Sequence, residues 1–145
     1  MRIDETVHLL DSRYSPITMT PEEVKALLTP FYKEMEKNIA DGKFELNLKF
    51  MHPDGVVVQK TMRKAHFGTE EIAEGMKKFH AEYAAKNIKR SNEHACGCDS
   101  CICYSCEVSF DSSKGPAKAN EFHIWRKHNN EWKMYHVEYE IVAQK

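Results

Sequence analysis

The sequence predicts an α+β domain, with helices gathered in its first half and consecutive strands in its second. Three observations carry this. Apolar residues recur at three- and four-residue spacing at Val24, Leu27, Leu28, Phe31, Met35 and Ile39, and again at Ile72, Met76, Phe79 and Tyr83, with His80 on the same stripe. From Ile88 onward the period shortens to two: Ile102, Tyr104, Cys106, Val108 and Phe110 alternate with Cys101, Cys103, Ser105 and Glu107. Turn signals at 112–116 and 128–130 then divide this region into an antiparallel meander.

The elements follow in order. Residues 1–19 show no clean period, although Val7, Leu9 and Leu10 offer apolar contacts, and they are assigned to an N-terminal arm ahead of a single domain at 20–145. Thr20, Pro21 and Glu23 supply a capping hydroxyl, a proline at the first helical position and a returning carboxylate, so a helix starts there. Pro30 removes a backbone donor and predicts a kink or a second helix start. Asp41 and Gly42 end the element. The dense apolar set Phe44, Leu46, Leu48, Phe50 and Met51 is assigned to a short helix, the residues 52–55 to a turn, and Val56, Val57 and Val58 to a strand. A second long helix opens at Gly68 and Thr69, and strands occupy the rest.

Composition narrows the function. At 145 residues the chain fits one core. Hydrophobic residues at 41% and charged residues at 30%, with six glycines and five prolines, exclude a collagen-like, low-complexity or wholly disordered chain. Twenty-one basic and twenty-two acidic residues leave a formal charge of −1, which offers no cationic field for nucleic acid or an anionic membrane, and neither partner is expected. No apolar run approaches the ~20 residues of a membrane helix. Asp4, Glu5, His8 and Asp11 interrupt the opening stretch, unlike a signal peptide. Five cysteines, an odd number in a chain that does not need a disulfide scaffold, favour a reducing compartment, so a cytoplasmic location is expected.

Several motifs then fall into a familiar order: Asp41-Gly42; Phe50-Met51-His52-Pro53-Asp54-Gly55-Val56; Gly68-Thr69-Glu70-Glu71-Ile72; and Trp132-Lys133-Met134 before the last strand. Together, over about residues 20–142, they resemble the nuclear-transport-factor-like superfamily, which includes ketosteroid isomerases and the SnoaL-like polyketide cyclases. The resemblance implies a strongly bent, mostly antiparallel sheet wrapped around the helices as a cystatin-like cone. It also implies a small hydrophobic ligand in the cone's mouth and a homodimer through the outer sheet face. It does not imply a reaction, because this fold hosts many. In ketosteroid isomerase an aspartate base, a protonated acid and a helical tyrosine act together. Those positions fall here near Gln59, near His123, and near Met35, one turn beyond Tyr32. A glutamine cannot accept a proton at neutral pH, so steroid isomerisation is not expected.

The same resemblance, with strand alternation, puts Tyr104, Cys106, His123, Trp125, His136 and Glu138 on the inner wall. Two imidazoles near one carboxylate form an acid–base set suited to proton transfer on a small carbonyl compound, so His123, His136 and Glu138 are the candidate catalytic residues. Tyr32, Met35, Gln59, Tyr104, Cys106 and Trp125 are the candidate pocket. Arg90, Asn92 and His94 share a parity, with no role fixed. No cofactor is expected. The cluster Cys96-x-Cys98-x-x-Cys101-x-Cys103-x-x-Cys106 contains thiols that can hold zinc or copper(I), but it lacks the long loop between ligand pairs of a structural zinc site, so no metal ligand is assigned. The expected function is an internal pocket for a small, partly apolar ligand, with an isomerase-, cyclase- or dehydratase-type enzyme as its catalytic form. The alternatives are a dimerisation or protein-interaction module, for which the cavity would be filled by Phe31, Met35 and Tyr104, and a thiolate metal-binding protein.

Overall fold

The computed structural model describes residues 18–142, so the arm assigned to 1–19 lies outside the described residues except for its last two. Those two form β1 (Thr18–Met19), which leads directly into α1 (Pro21–Ala40). The Thr20 hydroxyl accepts from the Glu23 amide at 3.1 Å, and the Glu23 carboxylate accepts from the Thr20 amide at 2.9 Å, completing the expected capping box. Pro30 neither splits nor ends α1, which runs unbroken for 20 residues. The stripe on both sides of it is buried, with Val24 and Leu28 sealed from solvent and Tyr32 and Met35 nearly so, and that packing outweighs one missing backbone bond. Gly42, at φ +73°, makes the left-handed exit from the helix.

The expected short helix is present at Phe44–Phe50 as a 3₁₀ helix, held to α1 by side-chain amides: Asn38 Nδ2 donates to Asn47 Oδ1 at 2.8 Å, and Asn47 Nδ2 to the Met35 carbonyl at 3.1 Å. Next come β2 (Met51–Gln59), β3 (Lys64–Phe67), α2 (Gly68–Tyr83), β4 (Lys86–Cys98), β5 (Cys101–Ser112), β6 (Gly115–His128) and β7 (Glu131–Val142). The residues expected to form a turn at 52–55 instead belong to β2, where the register against β7 slips between Met51 and Val56. The short strand β3 carries no sequence signal strong enough to announce it.

The seven strands form one open sheet in the order β1-β4-β5-β6-β7-β2-β3, antiparallel except where β2 runs beside β7. Register shifts break the β4–β5 ladder twice, between Lys86 and Lys89 and between Ser91 and His94, and the β6–β7 ladder once, between Ile124 and Trp125. Such bulges bend a sheet and sharpen its twist, and this one curls around the helices. Val24, Leu28, Tyr32 and Met35 of α1 and Ile72 of α2 meet Ile102, Tyr104, Val108, Phe110 and Trp125 of the sheet in a single core. Neither described helix is long and apolar enough to cross a membrane.

Candidate functional site

Between the helices and the concave sheet face the core stays partly hollow. The cavity measures about 210 Å³, with Met35, Phe44, Ile72, Met76, Val108 and Ala119 among its apolar walls. Arg90, Glu121, His123 and Tyr32 form a polar end. Strand alternation delivers two of these: on β6, Ala119, Glu121, His123 and Trp125 share the inward face.

The polar end is one connected network. Trp125 Nε1, which can only donate, gives its proton to the Tyr32 hydroxyl at 2.9 Å. The Tyr32 hydroxyl in turn lies 2.7 Å from His123 Nδ1, and His123 Nε2 lies 3.1 Å from Glu121 Oε1. Every donor finds an acceptor when Tyr32 donates to Nδ1 and the imidazole carries its proton on Nε2, facing the carboxylate. Arg90 closes the other side: Nη1 donates to Glu121 Oε1 at 3.1 Å and to Cys106 Sγ at 3.3 Å, and Nε donates to Glu36 Oε2 at 2.6 Å. The guanidinium also lies over the Tyr32 ring, 4.2 Å from its centroid. Arg90 is 14% exposed, and Glu36 and Glu121 about a fifth.

Electrostatics follow from this packing. Burial by itself would raise the Glu121 pKa, but the His123 hydrogen bond and the Arg90 charge prevail and bring it to about 2. Burial by itself would lower the Arg90 pKa, yet Glu121 beside it holds it well above the ordinary arginine value. Burial pushes the Tyr32 hydroxyl up, as it does the Tyr139 hydroxyl on the cavity wall. Both stay protonated. Glu121 therefore enters the cavity as a carboxylate. Its Oε1 receives both protein donors, and among the described residues no hydrogen bond falls on Oε2, which is left as an acceptor for the cavity.

Of the residues expected from sequence, Tyr32, Met35 and His123 line the cavity. Tyr104, Cys106 and Trp125 lie behind that wall: Tyr104 stacks on Tyr32 at 4.8 Å and donates to Glu93 at 2.6 Å, Cys106 backs Arg90, and Trp125 stacks on Phe31 at 5.5 Å. Gln59 is not a wall residue. His136 and Glu138 require a correction. They bond to each other, Nε2 to Oε1 at 2.9 Å, on the outer face of β7. The bulge is the cause: β6 pairs Trp125 with Met134 but Ile124 with His136, so Tyr135 is an extra residue and every later position on β7 changes side. Val137, Tyr139 and Ile141 take the inward places instead. Glu121 and Glu36 were not anticipated, although Glu121 shares the parity of His123 two residues away and was accessible to the same alternation argument. Among the described residues no three His, Cys, Asp or Glu side chains come together as a metal-ligand group.

No family model and no curated protein matches the sequence. Solved structures do. A protein of unknown function with a cystatin-like fold from Nostoc punctiforme superposes with a TM-score of 0.71 at 16% identity, over 86% of this chain and 95% of that one. An NTF2-like protein from Cytophaga hutchinsonii superposes with a TM-score of 0.67 at 10% identity, over 81% of this chain and 98% of the other. The chain has the nuclear-transport-factor-like fold. At these identities the likeness is one of fold alone. A third neighbour, a protein from Catenulispora acidiphila, was solved in complex with S-DNPA, with a TM-score of 0.67 and 17% identity over 81% of this chain and 92% of that one.

Proposed function

We propose that this protein binds a small, mainly apolar molecule inside its cone, anchored by a hydrogen bond donated from the ligand to Glu121. The observation that carries this is the open carboxylate oxygen of Glu121 at the polar end of a largely apolar cavity, whose wall also holds His80 with its Nδ1 buried and unpartnered among the described residues. A cavity of about 210 Å³ is smaller than the ~300 Å³ of the smallest drug-sized pockets and larger than the ~150 Å³ that admits benzene. It suits a body of about ten non-hydrogen atoms. The solved complex of the Catenulispora protein supports small-molecule binding on this fold. Phe31 packs on Phe50 and Trp125 instead of filling the space, which favours a pocket over a purely scaffolding cone.

The ligand carries a donor and no anion. The carboxylates of Glu36 and Glu121 outnumber the single guanidinium of Arg90 at the polar end, so a carboxylate ligand would meet repulsion from Glu121 in a low-dielectric site. Binding is favoured over proton abstraction, since a carboxylate with a pKa of about 2 is a weak base, and both nitrogens of His123 are already committed to Tyr32 and Glu121.

Calorimetry with 2-naphthol and 2-naphthoate tests this. The naphthol binds and the naphthoate does not, and Glu121→Gln weakens the naphthol by about 10- to 100-fold, the worth of a hydrogen bond to a charged acceptor. Equal affinity for the two probes, or a Glu121→Gln protein that binds naphthol as the wild type does, would overturn the proposal.

A further inference from the structure

Away from the cavity, the tip of the β4–β5 hairpin gathers four of the five cysteines on its outward face. The register pairs Cys96 directly with Cys103 and Gly97 with Ile102, and continuing it by one pair sets Cys98 opposite Cys101 across the turn at Asp99 and Ser100. Gly97 fixes which side is which. A Cβ there would come within 2.8 Å of Ile102 Cγ1, which is fully buried in the core, so positions 97 and 102 face inward and the cysteine pairs outward. Cys96 is exposed, and Cys98, Cys101 and Cys103 are half-buried.

We infer that Cys96 and Cys103 form a reversible disulfide, making the hairpin tip a redox modification site. Directly opposed residues of an antiparallel pair have Cα atoms about 4.5 Å or 5.5 Å apart, and both values fall within the ~4.4–6.8 Å span of disulfides. No strand has to move. The Cys103 thiol is also the one crowded by other thiols: burial pushes its pKa up, and Cys101 and Cys96 beside it push it further. Cys98 is differently placed, its sulfur 3.4 Å from the Ser100 hydroxyl, which lowers its pKa. Cys106 lies on the opposite face, buried against Arg90, and stays reduced.

The oxidant is a low-molecular-weight disulfide such as glutathione disulfide. The exposed Cys96 thiolate attacks one sulfur, the small disulfide bond breaks, and one glutathione leaves as thiol. Cys103, as thiolate, then attacks the Cys96 sulfur of the mixed disulfide and releases the second glutathione. Two protein thiols are oxidised, one small disulfide is reduced to two thiols, and the two thiol protons end on the released glutathione.

The test treats the reduced full chain with glutathione disulfide, cleaves before Asp99, and maps the product by mass spectrometry. The expected result is an internal bond between Cys96 and Cys103, retained in the Cys98→Ser/Cys101→Ser double variant and reversed by dithiothreitol. Cys96→Ser and Cys103→Ser lose it and stop at mixed disulfides, while far-ultraviolet circular dichroism shows both variants folded. An internal bond mapped to Cys98 and Cys101, wild-type behaviour in the Cys96→Ser or Cys103→Ser protein, or no internal bond at all would overturn the inference.

Discussion

Replacing Arg90 with alanine lowers the unfolding free energy by about 3–5 kcal/mol at pH 7, the cost of stripping one partner from a buried ion pair. Its guanidinium joins Glu36 on α1, Glu121 on β6 and Cys106 on β5, so its loss leaves two carboxylates facing a largely apolar surround. Arg90→Lys recovers only part of the loss, because an ammonium cannot reach Glu36 and Glu121 as a planar fork does while lying over Tyr32. Adding Glu121→Gln to Arg90→Ala costs less than the two single effects combined, since the second change removes a charge the first left unpaired. Urea unfolding of the wild type and these four variants measures this. A loss under about 1 kcal/mol for Arg90→Ala would mean that the network contributes no more than a surface pair.

Acid weakens the fold through the same network. Glu121 has a folded pKa of about 2 against an ordinary value of 4.5. A depressed carboxylate stabilises the folded state fully above its unfolded pKa, and that contribution fades as pH falls toward the folded pKa. The window therefore runs from about pH 5 down to pH 2, and the contribution lost across it is about 3 kcal/mol. Urea midpoints taken at successive pH values should fall steeply in this window for the wild type and less so for Glu121→Gln. Parallel slopes for the two proteins would assign the acid sensitivity to other carboxylates.

The helices and the meander were legible because each rests on local chemistry. The capping box at Thr20 and Glu23, the stripe from Val24 to Ile39, and the alternation along Ile102 to Phe110 need no knowledge of distant contacts. Pro30 misled because propensity is local while the packing of Leu28 and Tyr32 that overrides it is tertiary. The site was half legible for a related reason. Alternation placed His123 correctly on the inward face of β6, but the extra residue at Tyr135 has no local signature, and one residue is enough to turn His136 and Glu138 outward. Arg90 and Glu121 belong to different strands and Glu36 to a helix, so their meeting depends on how the bent sheet folds over α1. A pattern read along one strand cannot supply that.

Methyl-resolved NMR of the protein titrated with 2-naphthol tests the hollow cone most directly. Val57, Ile72, Val108, Val137 and Ile141 line the cavity, whereas Val58 and Ile124 pair with the outward Glu138 and His136. Saturable shifts confined to the first group are the predicted result. Shifts at Val58 and Ile124 with the first group unmoved would place binding on the outer sheet face and contradict the account.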